Sequence, residues 1–337
     1  MLEKPALENE RIVACLRNVF GLAVETIRFL PLGADANTAV YQTTTYNQTP
    51  YFVKLRRGDF DPAAVAVPKF LSDAGIKQII PSLPTKTGQL WANLDDYKVI
   101  LYPFIQGHNG FQLNLSDQQR IEFGTAMKQF HTANVPAALT NTLPREDFSP
   151  KWREGVKSIL RRIDAEQFKD PLAAELAIFL RTKRAEILEL IKRAEQLAQK
   201  LKTRLPEFIL CHADIHGWNL LIEEDGTLYM VDWDTLIFAP KERDLMFVGC
   251  GLGGNGHTLE EEERLFYQGY GQTDRNETAL AYYRYERIIV DIFEFCTHIL
   301  GSDDEGEDRK WALATLKTQF RPNNTIDLAR QLDKTSL

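Results

Sequence analysis

The first hundred residues are built from short apolar, β-branched and aromatic runs separated by turn-forming polar residues, the pattern of strands. Ala39 to Thr45 and Pro50 to Leu55 flank Tyr46-Asn47-Gln48 and predict a hairpin. Leu90 to Leu94 and Tyr97 to Tyr102 flank Asp95-Asp96 and predict a second strand pair. Between the pairs, Asp61-Pro62 opens and Gly75 closes a short helix, and Pro68 inside it predicts a break or restart. Pro103 to Gly110 is a break in composition, after which apolar positions recur at helical spacing. Ile121, Phe123, Met127 and Phe130 predict an amphipathic helix from its cap at Ser116 to His131. Lys151 to Asp164 and Leu172 to Lys202 are longer, and a solvated face accounts for their charges. Mixed helical sequence follows from Leu259, with GSDDEGEDRK expected as a surface loop before a last short helix.

This order predicts an α+β chain with a small β-rich lobe (residues 1–100), a hinge (101–107) and a larger, mainly helical lobe (108–337). The helices of 150–205 are expected as an insertion in the second lobe, either a substrate lid or a buttress. A length of 337 residues suits one large domain or two lobes.

Composition narrows the classes. With 44% apolar and 26% charged residues, the chain reads as an ordinary globular protein. A net charge of −7 argues against a nucleic-acid partner, which requires clustered Lys and Arg. Cys15, Cys211, Cys250 and Cys296 are scattered and form no CxxC pair, as reduced cytoplasmic thiols do. No apolar run approaches the ~20 residues of a membrane span. The expectation is a cytoplasmic monomer with no membrane partner.

The chemistry concentrates in Glu207 to Asp234, EFILCHADIHGWNLLIEEDGTLYMVDWD. An apolar run ends at His212-Ala213-Asp214, Asn219 lies five positions beyond Asp214, and a hairpin turn at Asp225-Gly226 leads to a run that ends at Asp232. Asp214 sits in a loop between strands, where a carboxylate is able to aim a hydroxyl or accept its proton. Asn219 and Asp232 are oxygen donors of the hard type that Mg²⁺ prefers. Together they suit phosphoryl transfer from a nucleotide. His212 and His216 have HxxxH spacing, but two such histidines share a face only on a helix, and this segment reads as strand and loop. His212 is expected to brace the loop.

Lys54 closes the run Tyr51-Phe52-Val53-Lys54, and an inward lysine requires an anion, for which nucleotide phosphates would serve. An outward surface lysine is the alternative. The small-residue loop Leu32 to Thr38, with Gly33 and Asn37, is able to bring backbone N–H groups to phosphates. Gly249 to Gly254 matches GxGxxG, but that motif acts only between a strand and a helix of a βαβ unit, so a flexible loop is expected.

On CHADIHGWNLLI, MVDWD and KERDL, the chain resembles the aminoglycoside phosphotransferase family over nearly its whole length. That resemblance implies a two-lobed protein-kinase-like fold with ATP and Mg²⁺ as cofactors. It implies Asp214 as catalytic base, Asn219 and Asp232 as metal ligands, and Lys54 on the α- and β-phosphates. Tyr102, Pro103 and Phe104 would offer backbone groups to adenine, and Asp244 would be a structural acid. The expected acceptor is a hydroxyl of spectinomycin, a small aminocyclitol whose amines are protonated near neutral pH. Tyr283, Asp291 and Glu294 are candidates to meet it, although Arg287 and Asp291 also read as a surface pair at i, i+4 spacing. Kinases of choline, homoserine or methylthioribose are same-class rivals, and a catalytically inactive kinase-like binding module is a rival of another class. Two departures stand out. No Glu occurs between Leu55 and Ile121 to pair with Lys54, leaving Asp59, Asp61 or Asp73 as substitutes unless the lysine is held differently. Ala213 stands where protein kinases carry Arg, so control by loop phosphorylation is not expected.

Overall fold

The computed structural model describes residues 4–33, 37–249, 257–301 and 306–333. It is mixed α/β, with an antiparallel sheet in the N-terminal region and helices dominating the C-terminal region. Helix α1 (Asn9–Cys15) runs into a π-helical turn, Leu16–Phe20, ahead of strands β1 (Val24–Leu30), β2 (Thr38–Thr45) and β3 (Pro50–Arg57). Helix α2 (Ala63–Asp73) leads to β4 (Ala92–Leu94) and β5 (Tyr97–Pro103). The five strands form one sheet in the order β1-β2-β3-β5-β4. Ile12, Leu16 and Phe20 cover its inner face at Tyr41, Val53, Leu55, Val99 and Leu101.

Both expected hairpins form, around Gln48 and Asp95, whose φ values of 63° and 52° turn the chain back. One strand carries no expectation and one expectation is corrected. Val24–Leu30 pairs with β2 as an edge strand although its pattern gives no clear signal, because only Val24 of the seven residues is buried. Pro68 does not interrupt α2, which is continuous. Its cost of about 3 kcal/mol is outweighed by burial of Val65, Val67 and Leu71, worth about 1.5–3 kcal/mol each.

The chain continues through β6 (Gly107–Asn109), α3 (Asp117–His131) and a single turn, α4 (Ala137–Thr140). Then come the two long helices α5 (Lys151–Ala165) and α6 (Pro171–Thr203), followed by the short strands β7 (Ile209–Cys211), β8 (Leu220–Glu223), β9 (Leu228–Met230) and β10 (Ile237–Ala239). Helices α7 (Glu242–Leu245), α8 (Leu259–Tyr270), α9 (Glu277–Leu300), α10 (Glu307–Gln319) and α11 (Thr325–Gln331) complete it. The expected acidic surface loop is shorter than read, since α10 begins at Glu307; residues 302–305 lie outside the described residues.

Two compact units account for the contacts. The first comprises residues 1–144, 212–237 and 251–272; the second comprises 145–211, 238–250 and 273–337. In the first, β6, β8 and β9 make a small sheet in the order β6-β8-β9. Helices α3 and α8 cross at glycines: a Cβ on Gly124 would stand 2.1 Å from Phe266 O, and one on Gly269 would stand 1.8 Å from Ile121 O. The second unit is a helical core in which α5, α6, α10 and α11 surround α9. No helix among the described residues is long and apolar enough to cross a membrane. Cys15, Cys211 and Cys296 are buried free thiols, and Cys250 lies outside the described residues.

Candidate active site

Lys54, Asp214, Asn219 and Asp232 all lie in the first unit, the lysine on strand β3 and the other three on turns and loops. After β7 the chain enters a loop in which His212 is wholly buried. The His212 ring donates from Nε2 to Val231 O at 3.0 Å. Its Nδ1 is therefore the acceptor for the Asp214 N–H at 3.3 Å. One imidazole thus links the backbone beside Asp214 to the residue before Asp232, and its ring lies 4.7 Å from that of Trp233. Ala213 and Asp232 both have left-handed φ, 70° and 64°. For residues with a Cβ that costs roughly 1–2 kcal/mol each, and the surrounding bonds impose it. Thr235 Oγ1 adds one, donating to His212 O at 2.7 Å.

The Asp214 carboxylate is held from two sides. Asn219 Nδ2 donates to Asp214 O at 2.8 Å and to Oδ2 at 3.2 Å. His216 takes the Trp218 N–H on Nδ1 at 3.2 Å, so its Nε2 carries the proton and faces Asp214 Oδ1 at 3.4 Å. With its amide nitrogen committed, Asn219 is left with Oδ1 as an oxygen donor.

Lys54 projects from β3 and is nearly buried. Its Nζ donates to Asp232 Oδ1 at 2.9 Å and Asp234 Oδ2 at 2.8 Å. The inward reading of Lys54 matches this placement, and its anion partners in the protein are these two aspartates. Asp59, Asp61 and Asp73 do not supply the partner. Asp61 caps Ala63 N and accepts from Thr142, while Asp73 is paired with Lys69. Burial alone would lower the Lys54 pKa, but the charges of Asp232 and Asp234 outweigh it and hold it well above that of an ordinary lysine. For Asp232 the same contest ends the other way: desolvation pushes its pKa up, the Lys54 ammonium pushes harder, and the carboxyl stays below its usual range. Half of the Asp232 side chain remains exposed, against 11% for Lys54.

Gly33 has φ 86°, Asn37 O accepts the Arg57 N–H at 2.8 Å, and residues 34–36 between them lie outside the described residues. Tyr102 and Pro103 end β5, paired with Phe52 and Tyr51 of β3, and Phe104 follows. On the other edge of β5, β4 reaches only Val99 and the Leu83 N–H donates to Leu101 O, so Tyr102 to Phe104 lie beyond that pairing. Of the GxGxxG stretch, only Gly249 is among the described residues.

The remaining candidates lie in the second unit. Asp244 is wholly buried in α7. Tyr283 is also wholly buried, in aromatic contact with Phe148 and Tyr282, and presents no surface to a substrate. Asp291 is bound to Arg287 at 2.9 Å and accepts from Gln319 at 2.9 Å, the i, i+4 pair that its spacing allowed. Glu294 is exposed on the same helix. Sequence reasoning gave His216 and Arg56 no place in the site and did not foresee Asp234 as a partner of Lys54; Arg56 Nη1 stands 3.9 Å from Asp234 Oδ2 and donates to Thr38. The available signal was the doubled acid in Asp232-Trp233-Asp234, beside a lysine without a glutamate.

Residues 28–281 match the model of the phosphotransferase enzyme (APH) family. The chain is 34% identical to spectinomycin phosphotransferase APH(9)-Ia in its complex with ADP and spectinomycin, covering 98% of this chain and 99% of that one with a TM-score of 0.88. The AMP-bound complex of that enzyme aligns at 33% identity over 98% of this chain and 100% of that one, with a TM-score of 0.85. Protein StrN of Streptomyces griseus is 23% identical over 298 residues, 86% of this chain and 85% of its own length. The match spans the strand of Lys54, the loop of Asp214 and the turn of Asp232 and Asp234, and on it the chain belongs to the phosphotransferase enzyme family.

Proposed function

We propose that the protein transfers the γ-phosphoryl group of ATP, with Mg²⁺, to a hydroxyl of spectinomycin. One observation carries the reading: an Asp214 carboxylate fixed by Asn219 and His216 lies in the same compact unit as a lysine joined to Asp232, in a chain 34% identical to a spectinomycin phosphotransferase.

Asp214 orients the acceptor hydroxyl and takes its proton as the oxygen–phosphorus bond forms. The bond from the γ-phosphorus to the bridging oxygen breaks, and ADP leaves with that oxygen. The transition state is loose, so most of the rate effect comes from placement and charge. Fixing both carboxylate oxygens supports such placement before substrate arrives. Lys54, a compact cation, is suited to the α- and β-phosphates. The donor set fits Mg²⁺: Asn219 offers Oδ1, and Asp232 a half-exposed carboxylate. Bound there, the ion would neutralise charge on the transferring group. Ala213, in place of an arginine, supports a site that is not gated by a phosphorylated loop.

The test is incubation with ATP, Mg²⁺ and a panel of spectinomycin, aminoglycosides, choline and homoserine, with products read by mass. A spectinomycin product heavier by one phosphoryl group is expected. Turnover of choline without spectinomycin would replace the substrate, and no turnover of any hydroxyl compound would favour a binding module.

A further inference from the structure

We propose that Asp234 is the positioning residue of Lys54, so that the lysine takes its fixed counter-ion from the turn after Asp232 and not from the helix after its own strand. The inference rests on the reading of Lys54 as the nucleotide-binding lysine. Helix α2 follows β3, yet the one acidic residue within its bounds, Asp73, is bound to Lys69. What α2 does contact is the 3-10 turn Trp233–Thr235, which carries Asp234. The helix thus packs against the turn that carries one of the two acids on Lys54.

The two aspartates are not equivalent. Asp232 is half exposed, whereas Asp234 is 26% exposed and also faces the Arg56 guanidinium. A lysine ammonium has three N–H donors. Two reach Asp232 and Asp234, and the third meets no acceptor among the described residues. If Asp232 turns to a metal ion, Lys54 loses one partner and has two donors for phosphate oxygens, while Asp234 keeps the ammonium in place. Asp234 and Arg56 form the fixed half of the arrangement, and Asp232 the exchangeable half.

Calorimetric titration of ADP with excess chelator, free of divalent cation, separates these roles without relying on turnover. Asp234→Asn should weaken metal-free ADP binding about tenfold, the loss of one charge-assisted bond, and Asp234→Glu should recover most of it. Asp232→Asn should stay within about threefold of the native protein, because a competitor for the ammonium is removed and its anchor is kept. In turnover, Asp234→Asn should raise the KM for ATP more than it lowers kcat. Thermal unfolding verifies folding, and Asp234→Ser substitutes if the asparagine variant does not fold. Native-like ADP binding by Asp234→Asn, or an equal loss in Asp232→Asn, would overturn the assignment. If the native protein does not bind ADP at all, the nucleotide-site reading falls first and this inference with it.

Discussion

Lys54 and Arg153 are both nearly buried cations with acidic partners, and they are enclosed in opposite ways. Lys54 meets carboxylates whose side chains are 50% and 26% exposed. Arg153, between α5 and α9 of the second unit, meets Glu286, which is 6% exposed, and the Tyr282 hydroxyl at 3.3 Å. It also donates to Phe148 O at 3.1 Å and Ser149 O at 2.8 Å. Every one of those acceptors is protein, and no side of the arginine is left for a ligand to approach. A charge that must exchange partners keeps one of them at the surface; a charge that ties helices together is sealed. Arg suits the second role because its planar fork reaches several acceptors at once.

Removing the residue on which the open arrangement acts should have the largest effect. Asp214→Ala is expected to lower kcat by about 10²–10⁴-fold with saturating ATP and acceptor, with the melting temperature nearly unchanged. A variant that keeps more than a few per cent of native kcat would remove Asp214 as the base. Next comes the contrast itself. Arg153→Leu should cost about 3–5 kcal/mol in urea unfolding by leaving Glu286 buried and unpaired. Lys54→Met should cost much less stability but lower kcat/KM for ATP by about 10–100-fold, the worth of a bond to a charged group. Equal stability losses at the two sites would dissolve the distinction.

The smallest effect is in pH. Burial pushes the Glu286 carboxyl up to about 7 in spite of Arg153. The folded state then holds a proton that the unfolded chain has released, so stability is full below about pH 4 and declines as pH rises to about 7. The change should amount to about 2–3 kcal/mol, seen as a melting temperature that falls over that window. Glu286→Gln should flatten it. A pH-independent difference between the two proteins would place the carboxyl in its ordinary range.

The legible parts of the chain were those whose pattern is local. The hairpins around Gln48 and Asp95 announced themselves through turn residues between apolar runs, and α3 through Ser116 and its apolar stripe. Strand β1 was hidden because an edge strand with Glu25, Thr26 and Arg28 buries one residue and shows no clear face. Pro68 misled because propensity speaks for the isolated helix, and burial decided otherwise. In the site, Asp214 and Asn219 were readable because they lie in one loop, five positions apart. The partner of Lys54 was not, because it is 180 residues away and depends on the left-handed turn at Asp232 that aims both acids at one ammonium. Arg153 and Glu286, 133 residues apart, carried no sequence signal at all.

The crossing of α3 and α8 sets a boundary for redesign. At Gly124 and Gly269 a methyl group would fall at 2.1 Å and 1.8 Å from backbone oxygens of the opposite helix, and backbone has no rotamer by which to yield. Overpacking of this kind costs about 1–3 kcal/mol or more even where side chains are able to shift. A library that randomises both helices in search of new acceptors would return glycine at these two positions while their neighbours diversify. The pair therefore marks where the scaffold is fixed by shape alone, with no reference to the chemistry it supports.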